Sequence, residues 1–268
     1  MRLPDRHWPV VLCSMLAVAG CAGPKGVKPP KPELAVAPTY VARDDEQVRR
    51  LHGYQTQLAL AGSELQAGQL DSSERRARAA LKLMPARADA MLVLAAVAER
   101  RGRQAEAGQW LQRAAEGSPE RGDVLNNYGA WLCQNGQAVQ SLSWFDRALA
   151  APGYATAAAA LSNAGTCALA AGQGERAERD LRKALEQDPG NVQALESMAR
   201  RAFDENSFFE ARAFVQRRLS AAPATVSMLQ LASQIEARLG DKRASDQYLQ
   251  RLKQEFPQDA GTTTRVEG

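Results

Sequence analysis

Small and apolar residues recur along this chain at helical spacing, in blocks that each end in proline. A small residue stands at Ala61, Ala95, Gly129, Gly165, Ala199 and Ala232, 33 to 36 residues apart. About twelve residues after each comes a second small residue: Ser73, Ala107, Ser141, Ala177, Ala211 and Ala244. Four residues further on stand Ala77, Leu111, Phe145, Leu181, Val215 and Tyr248. The blocks close at Pro85, Pro119, Pro152, Pro189, Pro223 and Pro257. Within one block, Leu161, Ala164, Gly165 and Ala168 form a first helical stripe. Ala171-Gly172-Gln173-Gly174 reads as a turn, and Ala177, Leu181, Ala184 and Leu185 form a second stripe. Pro189 stops the second helix, because proline lacks the amide and clashes with the preceding turn.

Each block therefore predicts two helices. One pair has little core alone and gains a continuous core by stacking on its neighbours. The pattern predicts one all-α solenoid domain over residues 45–257, of about six helix pairs, and a flexible tail at 258–268. In the sixth block, with Ala244 as the second small residue, Arg251 falls where a small residue is expected near the helix end. An edge unit tolerates that departure, since one of its faces has no neighbour.

The first 44 residues follow different rules. Arg2 and Arg6 precede the apolar run Val10–Ala19, which is too short to span a bilayer. The run leads into Val18-Ala19-Gly20-Cys21, a bacterial lipoprotein cleavage box. Residues 1–20 thus read as a lipoprotein signal peptide and Cys21 as the lipidation site. Acyl chains there would anchor the chain at about 0.8 kcal/mol per buried CH₂. Ala22 and Gly23 follow the cysteine, where inner-membrane retention uses aspartate, so the expected destination in a Gram-negative host is the outer membrane. Residues 21–44 read as a lipidated, proline-rich tether, with Pro24, Pro29, Pro30, Pro32 and Pro38 among Lys25, Lys28 and Lys31.

The precursor carries a formal charge of +4, and loss of two arginines and one aspartate with the signal leaves +3. Cations alternate with carboxylates along the predicted helices, as in Glu175–Lys183, which describes a solvated face rather than a nucleic-acid stripe. No P-loop, HExxH motif or nucleophile elbow is present, and His52 is the one histidine after the signal. These features predict no catalytic residues, no metal site and no cofactor.

Of four cysteines, Cys13 leaves with the signal and Cys21 takes lipid, so Cys133 and Cys167 remain. They fall on the first helices of adjacent blocks. Two readings apply: a disulfide, suited to an oxidising envelope, or two separately buried thiols.

Block length, paired small residues and terminal prolines resemble the tetratricopeptide repeat family, most closely through Leu161, Gly165, Ala177, Leu181, Ala184 and Pro189. The resemblance implies a right-handed superhelix. Asn127 and Asn163 occupy equivalent places in their blocks. In peptide-binding members of the repeat family an asparagine there contacts a ligand backbone, since an amide both donates and accepts. The competing reading is an internal bond that braces one first helix against the next. Asn126, Thr166, Glu196 and Arg200 are expected on the same concave side as candidate partner-binding residues. Trp131, Trp144 and Phe145 read as core.

The cleavage box, the tether, six blocks, Leu125-Asn126-Asn127-Tyr128-Gly129, and Cys133 followed by Cys167 resemble a narrower group, the type IV pilus biogenesis and stability lipoproteins of the PilF/PilW family. That resemblance implies a lipid-anchored protein on the periplasmic face of the outer membrane. It implies a non-enzymatic, monomeric, pilotin-like adaptor that promotes assembly or localisation of the type IV pilus secretin and supports twitching motility. The implied partners are the secretin and other pilus assembly proteins. The rival expectation is a repeat lipoprotein that scaffolds cell-wall synthesis or envelope protein assembly.

Overall fold

A computed structural model of the chain describes residues 45–258. The signal peptide, Cys21, the tether up to residue 44 and residues 259–268 of the tail lie outside the described residues. Among the described residues twelve helices follow one another as six helix–turn–helix units, which is a tetratricopeptide repeat solenoid. The first unit pairs α1 (Glu46–Gln66) with α2 (Leu70–Leu83), and the second pairs α3 (Ala88–Arg100) with α4 (Gln104–Gly117). Then come α5 (Gly122–Gln134) with α6 (Ala138–Ala150), and α7 (Ala157–Ala170) with α8 (Gly174–Gln187). The last two units are α9 (Val192–Asp204) with α10 (Phe208–Ala221), and α11 (Val226–Arg238) with α12 (Lys242–Glu255).

Local chemistry sets the helix limits. Every second helix ends two residues before its proline: Leu83 before Pro85, Gly117 before Pro119, and likewise to Glu255 before Pro257. Within each pair the turn passes through one residue in the left-handed region: Gly68, Gly102, Gly136, Gly172, Asn206 and Gly240. At Gly102 this lets the Arg103 amide donate to the Ala98 carbonyl at 2.8 Å, closing the end of α3. Asn206 is the one non-glycine in the set, and asparagine tolerates this conformation better than most side chains.

These turn residues correct the register of the sixth unit. The second small residue lies five positions after the turn residue in every earlier unit, as Ala177 does after Gly172. Counting from Gly240, the equivalent residue is Ser245 rather than Ala244. Ser245 is buried, and its hydroxyl bonds that of buried Ser233 at 2.9 Å. Twelve residues after Ser245 comes Pro257, matching Ala177 to Pro189. The residue near the helix end is then Leu252, which is buried, while Arg251 points outward and pairs with Glu255. The unit keeps the apolar pattern that the shifted register denied it.

Small residues bring the two helices of a unit together. A Cβ on Gly165 would lie 2.5 Å from Leu181, and one on Gly129 would lie 2.9 Å from the Phe145 ring. Phe145 and Leu181 are fully buried at these crossings, each such side chain contributing roughly 1.5–3 kcal/mol of apolar burial. Core then passes from unit to unit. Leu181, Leu195, Met198, Val215, Met228 and Ile235 belong to one cluster spanning the last three units. Leu111, Val124, Leu125 and Tyr128 form another, against which Trp110, Trp131, Trp144 and Tyr154 pack.

Candidate partner-binding surface

The first helices of consecutive units lie side by side, and the predicted binding residues sit along their seams. The α5/α7 seam is closed twice. Cys133 and Cys167 are joined as a disulfide with Cα atoms 5.8 Å apart. Two helical turns earlier on α5, Asn126 Oδ1 accepts from Asn163 Nδ2 at 3.0 Å. At the α7/α9 seam the Thr166 hydroxyl bonds the Ser197 hydroxyl at 2.9 Å, and Gln193 Nε2 donates to Thr166 Oγ1 at 3.2 Å.

Glu196 and Arg200 pair along α9 at 3.1 Å. Glu196 Oε2 also lies 3.7 Å from Arg218 Nε. Arg218 is 4% exposed, and its Nη1 donates to the carbonyls of Ala222 and Pro223 at 3.3 and 3.1 Å. It thereby ties the α10–α11 connection to the first-helix face.

The structure divides the predicted set. Asn126 and Asn163 bond each other across their seam, and Thr166 bonds Ser197 and Gln193 of α9 as well as the Ser162 carbonyl of its own helix. Glu196 and Arg200 satisfy each other. Asn127, the repeat equivalent of Asn163, is exposed and makes no side-chain hydrogen bond. It lines a groove of about 290 Å³ between α3 and α5. Leu92, Ala96 and Glu99 form one wall of that groove, with Asn127, Trp131 and Gln134 on the other. Glu99 reaches solvent at the rim, and partial burial of its carboxyl raises its pKa.

Sequence reasoning missed this groove. The available signal was Gly108, a glycine inside the α4 pattern. A Cβ there would lie 2.3 Å from the Trp131 ring, so the indole can pack against α4 only because that position is bare. Trp131 also stacks on Tyr128, with centroids 6.2 Å apart, and Tyr128 meets Trp144 edge-on at 4.8 Å. Trp131 and Trp144 are half-buried and Phe145 fully so.

The starts of the first three units are linked by a polar chain. The buried Tyr54 hydroxyl donates to Asp89 Oδ2 at 3.3 Å, and Arg121 Nη1 donates to Asp89 Oδ1 at 2.7 Å. Arg121 also holds Asp123 at 2.5 Å, which keeps the Asp123 carboxyl below its usual range. Burial first, then the charge of Asp89, pushes the Tyr54 phenol up to about 12. Glu74 is lowered by its bonds to Arg101 and Arg78.

Among the described residues no group of three or more His, Cys, Asp or Glu could hold a metal ion. Among the same residues no helix is long and apolar enough to cross a membrane. Fold and surface together define a tetratricopeptide repeat scaffold, with no catalytic-site features among the described residues.

Its structural relatives include a type IV pilus biogenesis factor. The crystal structure of PilW, described as a widely conserved type IV pilus biogenesis factor, matches with a TM-score of 0.72 and 26% identity. That match covers 78% of this chain and 97% of PilW. The pilF protein of Pseudomonas aeruginosa matches with a TM-score of 0.71 and 21% identity, over 78% of this chain and 95% of that one. A tetratricopeptide repeat protein from Parabacteroides merdae shares the fold at a TM-score of 0.60 and 18% identity, over 76% of this chain and 80% of that one. No family model and no curated protein matches the chain.

Proposed function

We propose that this protein is an outer-membrane lipoprotein adaptor of type IV pilus biogenesis, pilotin-like, that promotes assembly or localisation of the pilus secretin and so supports twitching motility. The observation that carries the reading is the match to PilW, which runs over 97% of that pilus biogenesis factor at 26% identity. The cleavage box at Cys21 supports a lipid anchor on the periplasmic face. A stacked-helix scaffold suits the task because its surface is formed before the partner arrives, which lowers the ordering cost of recognition. Acyl chains at Cys21 concentrate that surface at the membrane, where secretin subunits are to be gathered. This scheme requires no energy source from this chain.

Deletion of the gene tests the reading. Outer-membrane fractions are scored for secretin multimers resistant to detergent. The expected result is loss of multimers with unassembled subunits left behind, and unchanged multimers overturn the proposal. In a separate Cys21→Ala strain the protein should leave the outer-membrane fraction. Normal association there would count against lipidation.

A further inference from the structure

The six turn residues put every unit on one count, and that count singles out Glu99. Three residues before the turn residue stand Leu65, Glu99, Cys133, Leu169, Phe203 and Ala237. Five of the six positions are uncharged and Glu99 alone carries a carboxylate. Seven residues before the turn, then two on, the same count places Trp131 of α5 where α7 has Cys167. Glu99 and Trp131 are therefore the repeat equivalents of the disulfide partners Cys133 and Cys167. Where one seam is closed by a covalent bond, the preceding seam sets a carboxylate and an indole on opposite walls of an open groove.

Among the described residues nothing neutralises that carboxylate. Three acids on neighbouring helices have cation partners of their own: Glu64 with Arg76, Glu74 with Arg78 and Arg101, and Glu106 with Arg78 and Arg103. The two cations that follow Glu99 are committed elsewhere. Arg100 donates to the Leu65 carbonyl, and Arg101 is held by Asp71 and Glu74. Among the described residues Glu99 has no ion-pair and no side-chain hydrogen-bond partner, and the other lining residues of the groove are uncharged. The seam is tied at its start by Arg121 and Asp89 and open over the later turns of α3 and α5.

A carboxylate without a cation partner, partly desolvated in a groove that an indole also lines, is a receptor for a cation by ion pairing, with attraction to the aromatic ring added. Leu92 and Ala96 add an apolar floor, while Asn127 and Gln134 offer amides that can both donate and accept. The volume, about 290 Å³, falls just below the range of whole small-molecule pockets, so it suits a few side chains rather than a cofactor. Resting on the adaptor reading above, we propose that the α3/α5 groove docks a partner segment in which an apolar side chain is followed by lysine or arginine, the apolar group lying on Leu92 and Ala96 and the cation between Glu99 and Trp131.

The test uses the full chain carrying Cys21→Ser and three blocked nonapeptides in one alanine–serine background, with Leu-Lys, Leu-Glu or Ser-Lys at the centre. Binding is followed by NMR through the side-chain amides of Asn127 and Gln134 and the indole N–H of Trp131. The Leu-Lys peptide should shift these three signals saturably, and the other two peptides should bind more weakly. Glu99→Gln should weaken the Leu-Lys peptide by about fivefold to tenfold without lowering the melting temperature. Glu99→Lys should reverse the preference towards the Leu-Glu peptide, which no general loss of folding would produce. Absence of the Leu-Lys shifts, equal binding of Leu-Glu, or unchanged affinity in Glu99→Gln each overturns the proposal. If the peptides bind as stated while deletion leaves secretin multimers intact, the docking site stands and the pilus reading fails. If deletion removes the multimers but the groove ignores the peptides, the reverse holds.

Discussion

Asn126 Oδ1 accepts a hydrogen bond from Asn163 Nδ2 at 3.0 Å, across two helices 37 residues apart in sequence. The pair lies on the same seam as the Cys133–Cys167 disulfide, so a polar clasp and a covalent one hold α5 to α7. Removing either amide leaves its partner half-buried without that bond, at a cost of roughly 1–2 kcal/mol. Asn126→Ala and Asn163→Ala are each expected to destabilise by that amount, and the double variant by clearly less than their sum. Strict additivity in a denaturant double-mutant cycle would show that the clasp does not operate in solution.

The disulfide closes a loop with a sequence separation of 34. In the chain-entropy account such a crosslink contributes about 3–4 kcal/mol. The Cys133→Ser/Cys167→Ser variant should lose stability on that scale. The intact mass of the parent protein should rise by two hydrogens on reduction, and two thiols alkylated without reductant would reject the bond.

Gly108 and Trp131 form the tightest packing constraint, with 2.3 Å between a would-be Cβ and the ring. Gly108→Ala forces the indole off α4, and overpacking of this kind costs roughly 1–3 kcal/mol. The melting temperature should fall by several degrees. Tryptophan emission should change with it, because Trp110, Trp131 and Trp144 all pack against the same cluster. Unchanged stability and unchanged emission would mean that the ring does not rest on α4.

The corrected register of the last unit makes opposite predictions for adjacent residues. Leu252 is 2% exposed, so Leu252→Ala should cost about 2–4 kcal/mol. Arg251→Ala removes only an exposed i,i+4 pair with Glu255 and should cost less than about 1 kcal/mol. A larger loss at Arg251 than at Leu252 would restore the uncorrected register.

Tyr54 supplies a pH dependence. Its phenol titrates near 12 in the folded protein, against 10 in the free side chain. Between those values the unfolded chain releases the proton and the folded chain keeps it. The stabilisation is therefore complete below pH 10 and lost as pH rises through 12. Absorbance at 295 nm should show a phenolate appearing near pH 12 that Tyr54→Phe removes. That variant should also lose less stability than the parent between pH 10 and 12. If the phenolate that the variant lacks appears near pH 10 instead, the assignment fails.

Much of the fold was legible because its causes are local. Alanine–leucine stripes at helical spacing, a turn glycine and a closing proline act within a few residues. The sixth unit shows where that reading slips. Counting from the preceding small residues placed Ala244 in the core, whereas counting from Gly240 places Ser245 there, because the turn conformation sets the phase of the helix that follows.

The candidate surface was legible only as a set of positions. Asn127 and Asn163 are the same residue at the same point of their units, and the sequence offered both ligand contact and bracing for each. Their fates differ because each side chain meets a different neighbour across its seam. Asn163 finds Asn126, while Asn127 borders an open groove. Arg218 is likewise an ordinary helix arginine in the sequence and a buried clamp on the Ala222 and Pro223 carbonyls in the fold.

By itself, then, the sequence determined an all-α chain of repeating helix pairs and the residues that start and stop them, since periodicity, proline and glycine act through the backbone next to them. Only the tertiary structure decided which seams are closed and which stays open. That depends on pairs such as Cys133 with Cys167, joined across one seam, and Glu99 with Trp131, set on opposite walls of another, whose members lie more than thirty residues apart and are brought to one seam only when one unit stacks on the next.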